Sequence, residues 1–76
     1  KAIEHYQQAL NLAKEIGDRN GEGVWLGNLG IAYHKLGQLE KAEDYLNQAL
    51  AIAKEIKNSR LEKFVLTQLK ILKSSD

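Results

Sequence analysis

The sequence predicts an all-α chain of four helices, paired as antiparallel hairpins that stack side by side. Three observations predict it. Residues 1–16, KAIEHYQQALNLAKEI, realign on residues 41–56, KAEDYLNQALAIAKEI, at an offset of forty, with nine identities in sixteen positions. Apolar residues recur every three or four positions, and no segment sustains the period of two that a half-buried strand requires. Short glycine-rich or polar breaks separate the periodic stretches, and connections of two to five residues leave neighbouring helices antiparallel. The identities are Lys1/Lys41, Ala2/Ala42, Gln8/Gln48, Ala9/Ala49, Leu10/Leu50, Ala13/Ala53, Lys14/Lys54, Glu15/Glu55 and Ile16/Ile56. Weaker pairing continues through Glu22/Glu62, Leu26/Leu66, Leu29/Leu69 and Ile31/Ile71. A fixed offset of this kind signals a repeat architecture, in which a unit alone buries too little of its apolar face. The chain holds slightly less than two copies and is expected to begin partway through one.

The first helix is expected over 2–16, with Ala2, Tyr6, Ala9, Leu10, Ala13 and Ile16 on its apolar side. GDRNGEG breaks it. Gly17 is the expected C-terminal cap, and Asp18 or Asn20 the N-cap of the next helix. The second helix is expected over 21–36, ending at Gly37. It carries Gly27 and Gly30 in its interior, although a helical glycine costs about 1 kcal/mol relative to alanine. At about 100° per residue, Trp25, Leu29, Ala32 and Leu36 form one face, and Leu26, Gly30, Tyr33 and Gly37 the adjoining one. Such a helix packs between two others, and Gly30 is expected to admit the third helix closely through Ala42 or Ala49. The third helix is expected over 39–56, with Glu40, Glu43 and Asp44 in its first turn and Lys54 and Lys57 near its end, as the dipole favours. Ser59-Arg60-Leu61-Glu62 is a capping-box pattern that starts the fourth, over 60–73, fraying near Ser74.

Seventy-six residues make one small domain with a marginal core. The absence of cysteine excludes disulfides and thiolate metal sites, and fits a reducing, cytoplasmic compartment. Without Met at position 1 or a signal segment, the chain reads as an internal piece of a longer protein. No apolar run approaches the roughly 18 residues of a membrane span. A net charge of +1 gives no global field for nucleic acid. Lys63, Lys70 and Lys73 make the C-terminal part locally basic, and a phosphate contact there ranks below the readings that follow. His5 and His34 lack ligand spacing, and Glu4 beside His5 points to another side of its helix. Ser59, Ser74 and Ser75 have no neighbouring base, and the glycines of GDRNGEG punctuate helices rather than cradle phosphate. No catalytic residue, metal site or cofactor is expected.

The second and third helices read Leu26-x2-Leu29-Gly30-x2-Tyr33, then Gly37, then Ala42-x3-Leu46, with Ala49 following. This pattern resembles a tetratricopeptide repeat. The resemblance covers the whole chain: 1–16 as the B helix of a preceding repeat, 21–56 as one complete A–B repeat, and 60–73 as an A-like or capping helix. Trp25 lies one place before the usual tryptophan slot, which Leu26 fills, and the closing proline is missing. The forty-residue repeat is similar to the long-repeat subgroup typified by kinesin light chains and bacterial peptide-pheromone receptors. In the fourth helix Lys70 and Lys73 stand where Gly30 and Tyr33 stand in the second.

The resemblance implies an α-solenoid fragment that binds a protein or peptide along the concave face of its A-type helices and is not an enzyme. Val24, Gly27, Asn28, Ile31, His34 and Lys35 then form an outward stripe. Their offset partners are Phe64, Thr67, Gln68, Ile71, Ser74 and Ser75. Asn28 matches a slot where the family often places an Asn that hydrogen-bonds a peptide backbone. A two-carboxylate clamp is not supported, because Gly27 and Ile31 occupy its Lys and Asn slots. Trp25 and Tyr33 are expected in the core, and Tyr6 and Tyr45 are expected to pack with phenol ends in water. The first helix lacks an A-type partner, so Ala2, Tyr6, Ala9, Leu10 and Ala13 are expected to present an uncovered flank for self-association.

Overall fold

The structure is a computed structural model that describes residues 2–74; Lys1, Ser75 and Asp76, and with them the place of Ser75 in the outward stripe, lie outside the described residues. Four helices account for nearly all of it: α1 (Ala2–Ile16), α2 (Arg19–Lys35), α3 (Leu39–Glu55) and α4 (Ser59–Ser74). The all-α reading is borne out. Helix α2 contacts each of the other three, α3 lies between α2 and α4, and α1 meets α2 alone. The result is a slab of 37 × 29 × 15 Å.

The three turns are built alike. Gly17, Gly37 and Lys57 each adopt positive φ, at 75°, 80° and 57°. Each donates its N–H to the carbonyl three residues back, on Lys14, His34 and Lys54. The residue after each, Asp18, Gln38 and Asn58, donates to the carbonyl five residues back, on Ala13, Tyr33 and Ala53. This is the Schellman arrangement. The same three residues then accept, at their own carbonyls, from Glu22, Ala42 and Glu62. One residue therefore closes a helix and opens the next, at steps of twenty: 18, 38 and 58.

These turns correct the expected boundaries. Of GDRNGEG only Gly17 and Asp18 lie outside helices; α2 begins at Arg19, two residues early. Asp18 is its cap, with Oδ1 accepting from the Gly21 N–H at 2.9 Å. The capping box at Ser59 does not form. Ser59 is already helical, and Asn58 Oδ1 accepts from the Leu61 N–H at 3.1 Å. Helix α3 closes at Glu55, one residue short, and α4 extends one residue further, to Ser74.

The core joins Leu10 of α1, Leu26 and Leu29 of α2, Ala42, Leu46, Ala49, Ile52 and Ala53 of α3, and Leu61, Val65, Leu69 and Leu72 of α4. Each large aliphatic side chain buried this way contributes about 1.5–3 kcal/mol. Two interior glycines of α2 make the packing fit. A Cβ at Gly30 would lie 2.6 Å from Leu46 Cγ and 3.2 Å from the Ala42 carbonyl oxygen. The close approach to α3 is thus through Ala42, as expected, with Leu46 rather than Ala49 filling the space. A Cβ at Gly23 would lie 2.7 Å from Leu61 Cδ2 and 3.1 Å from Ile52 Cγ2, so Gly23 is where α2, α3 and α4 converge.

Two expectations fail on burial. Gly27 is buried, not outward: the Phe64 ring covers it, with Cε2 3.2 Å from where its Cβ would be. Leu10 and Ala13 are 2% and 4% exposed, so they belong to the core rather than to an uncovered flank. Helix α2 is the one helix that α1 meets, and its Trp25 ring packs against Tyr6 and His5 of α1 while its glycines at 23, 27 and 30 face α3 and α4.

Candidate functional site

The open surface of α2 is set by its packing. Glycines take the sides toward α3 and α4, and Trp25 and Ala32 take the side toward α1. What remains is Val24, Asn28, Ile31 and Lys35, spaced by four, three and four and therefore aligned along one side of the helix. Val24, Asn28 and Ile31 are half-buried and Lys35 is exposed. Arg60, Phe64, Thr67 and Ile71 repeat this spacing on α4, all exposed. The two stripes meet where Phe64 lies over Gly27.

Asn28, Ile31 and Lys35 line a hollow of about 140 Å³ together with Ala32 and with Ala2 and Tyr6 of α1. Two surfaces read separately from the sequence are therefore one. Ala2 and Tyr6, assigned to the self-association flank, share walls with residues of the outward stripe. Ala9 is half-buried beside them, while Leu12, which the sequence reading left out, and Ile16, which it placed on the apolar side of the helix but not in the flank, are 56% and 68% exposed. Helical spacing within α1 gave no hint of this, because the hollow lies between two helices.

The α4 half is less polar than its sequence implies. Thr67 Oγ1 donates to the Lys63 carbonyl at 2.9 Å, and Ser74 Oγ to that of Lys70 at 2.8 Å. Both hydroxyl protons are committed to their own helix. Gln68 is half-buried, and Phe64 and Ile71 are 37% and 48% exposed. His34 is half-buried, and His5 is exposed, with its ring edge-on to Trp25 at 6.4 Å. Sequence reasoning also missed Arg60. Its offset partner, Asn20, falls before the expected start of α2, so the pairing never reached it; one turn before Phe64 in α4, Arg60 extends the stripe.

The aromatic residues pack. Tyr6 lies 5.8 Å from Trp25, and Tyr33 stacks on Tyr45 at 5.4 Å and 9°, with Lys41 Nζ 5.3 Å above the Tyr33 ring. Burial, then the neighbouring Tyr33 and Asp44, push the Tyr45 phenol above its ordinary pKa. At the other end of the molecule Arg19 donates to Glu55 of α3 and to Glu22, and these bonds push its pKa up. Asn58 Nδ2 donates to Asn20 Oδ1 at 2.7 Å, tying the starts of α2 and α4 together.

A second hollow, of about 230 Å³, lies between α3 and α4 and is lined by Leu39, Glu40, Glu43, Leu72 and Lys73. Two carboxylates beside Lys73 make it a poor phosphate site and weaken the basic reading of Lys63, Lys70 and Lys73. Among the described residues no group of three or more His, Asp or Glu is placed to hold a metal ion. No helix among them is long and apolar enough to cross a membrane.

Comparison with known proteins adds to this geometry. The family profile described as "Tetratricopeptide repeat" matches residues 1–55, ending before α4. The chain is 33% identical over 72 residues to "Response regulator aspartate phosphatase A" of Bacillus subtilis, covering 95% of this chain and 19% of that protein. It is 45% identical over 42 residues to human "G-protein-signaling modulator 1", covering 55% of this chain and 6% of that protein, and 43% identical to the mouse protein over the same length. The chain thus spans about a fifth of the first relative. No solved structure gives a significant match.

Proposed function

The chain belongs to the tetratricopeptide repeat family, and we propose that it is a non-catalytic scaffold module that docks a protein or peptide on the concave side formed by α2 and α4. The observation that carries this reading is the hollow where Asn28 and Ile31, both half-buried, open to solvent between two helices. An apolar wall with one amide suits a peptide: the side chain of Ile31 offers contact area, and Asn28 offers both a donor and an acceptor to a backbone. Val24, His34, Lys35, Phe64, Thr67, Gln68 and Ile71 complete the proposed surface. The forty-residue repeat supports, as part of the same proposal, membership of the long-repeat subgroup of the family. The test is a peptide library of unbiased composition, selected on the whole 76-residue chain. Selected peptides are titrated against wild type and the double variant Asn28→Ala, Ile31→Asp. The variant should bind about tenfold or more weakly, since a charge buried against an apolar ligand is costly; equal affinities refute the reading.

A second reading is favoured by the exposed Leu12 and Ile16 of α1, which lie beside the half-buried Tyr6 and Ala9. On this reading the segment is structural, and its α1 face stacks against another repeat or a second copy. Light scattering at high concentration tests it for the isolated chain, and a monomer refutes self-association. Both readings use Tyr6 and Ala2, so a bound peptide should compete with any self-association.

A further inference from the structure

The docking face lacks carboxylates. No Asp or Glu occurs between Gly23 and Leu39, or between Lys63 and Ser75. The acidic residues that α2 and α4 do carry, Glu22 and Glu62, precede Ile31 and Ile71 by nine positions, which at about 100° per residue puts them on the opposite side of each helix. Glu22 is further engaged by Arg19 at 3.0 Å. On α1, Glu4 and Glu15 lie about 200° and 220° round from Ala2, away from the hollow. The cations do point outward. Lys35 ends the α2 stripe and Arg60 begins the α4 stripe, both exposed. Helices α2 and α4 run parallel, and the contacts of Asn58 with Asn20 and of Leu61 with Gly23 set Arg60 level with Glu22. Lys35 and Arg60 thus mark opposite ends of the face, about 20 Å apart along the helix direction at about 1.5 Å per residue. Between them lie Ile31, Phe64 and Ile71.

We propose that the partner at this face is a polypeptide segment with an apolar centre flanked by carboxylates, one meeting Lys35 and the other Arg60. Charge complementarity selects it: a basic segment would meet two like charges and find no carboxylate to pair with, while a neutral one would forgo both ion pairs. This rests on the reading of the face as a docking surface, and the test separates the two.

Peptides selected from the unbiased library on the whole chain are sequenced and titrated at low and high salt. The expected result is net negative charge among the selected sequences. Affinity should fall as salt rises, because exposed pairs are screened over about 10 Å at 0.1 M ionic strength. It should also fall roughly tenfold in Lys35→Glu combined with Arg60→Glu, a variant whose changes lie at exposed positions and leave the fold intact by circular dichroism. Selected sequences that are neutral or basic, but lose affinity in Ile31→Asp, overturn the acidic partner and leave the docking face standing. Sequences indifferent to Ile31→Asp, or no binders at all, overturn both.

Discussion

Gly30→Ala adds one methyl group at the tightest point between α2 and α3. The added carbon would sit 2.6 Å from Leu46 Cγ and 2.8 Å from Leu46 Cδ2, about 1 Å inside the ordinary carbon–carbon contact of about 3.5–4.0 Å. Leu46 cannot swing aside, because it is 1% exposed and lies among core residues. Helix α3 cannot slide freely either, since the Ala42 carbonyl oxygen stands 3.2 Å from the same point. Overpacking costs about 1–3 kcal/mol, and two carbons under 3 Å put this case in the upper part, about 2–3 kcal/mol, offset by about 1 kcal/mol of helix propensity gained on leaving glycine. The net expectation is a loss of about 1–2 kcal/mol. For a domain of this size that lowers Tm by roughly 5–15 °C. Leucine at position 30 should be worse. Thermal unfolding followed by circular dichroism reads the effect, and a companion measurement identifies its cause. Leu46→Ala alone should cost about 2–5 kcal/mol, but in the Gly30→Ala background it should cost about 1 kcal/mol less, because it vacates the contested space. A Gly30→Ala protein as stable as wild type, or strict additivity with Leu46→Ala, would refute the packing argument.

Lys57 holds φ 57° where the equivalent turns have glycine; Lys57→Gly should therefore raise stability by about 0.5–1 kcal/mol, seen as a higher urea midpoint with unchanged m-value. Asn58→Ala removes the cap of α4 and the bond to Asn20, and should cost about 1–2 kcal/mol and speed amide exchange at residues 59–62, whereas Ser59→Ala should change little. The raised pKa of Tyr45 means that the fold prefers the neutral phenol. Its stabilising share is complete below the unfolded pKa of about 10 and is lost as pH rises through and beyond it. Denaturation titrations above pH 10 should show that slope in wild type and a shallower one in Tyr45→Phe.

What the sequence made legible, and what it hid, turns on glycine. The offset of forty and the apolar spacing located all four helices, and Gly30 announced its close contact because Leu26, Leu29 and Tyr33 surround it with helical periodicity. The run GDRNGEG misled because its three glycines serve different ends. Gly17 needs positive φ and has nothing within 4 Å, while Gly21 and Gly23 are helical, Gly23 being small because Leu61 and Ile52 crowd it. Composition cannot separate these roles; neighbours distant in sequence decide them. Gly27 was misplaced for the same reason, since the ring that covers it belongs to a residue in α4. The third turn escaped notice because Lys57 takes a conformation that Gly17 and Gly37 advertise. At the site, periodicity found the α2 stripe but not the hollow, which needs α1 and α2 in register, and it missed Arg60 because the α4 stripe was read from offset partners and Asn20, the partner of Arg60, lay before the expected start of α2.

Lys70 has a consequence for growth. Within the chain, α2 seats on α3 because Gly30 yields to Leu46, and at the offset of forty Tyr6 of α1 holds the place of Leu46. A helix laid on α1 in the same manner must be small opposite Tyr6. Helix α4 presents Lys70 there and Lys73 one turn on, so α4 of one copy does not seat on α1 of another in this manner. Head-to-tail contacts of that sort propagate without limit when the surfaces match. Between α4 and α1 they do not match, so association of two copies through α1 needs a different seat from the one that joins α2 to α3.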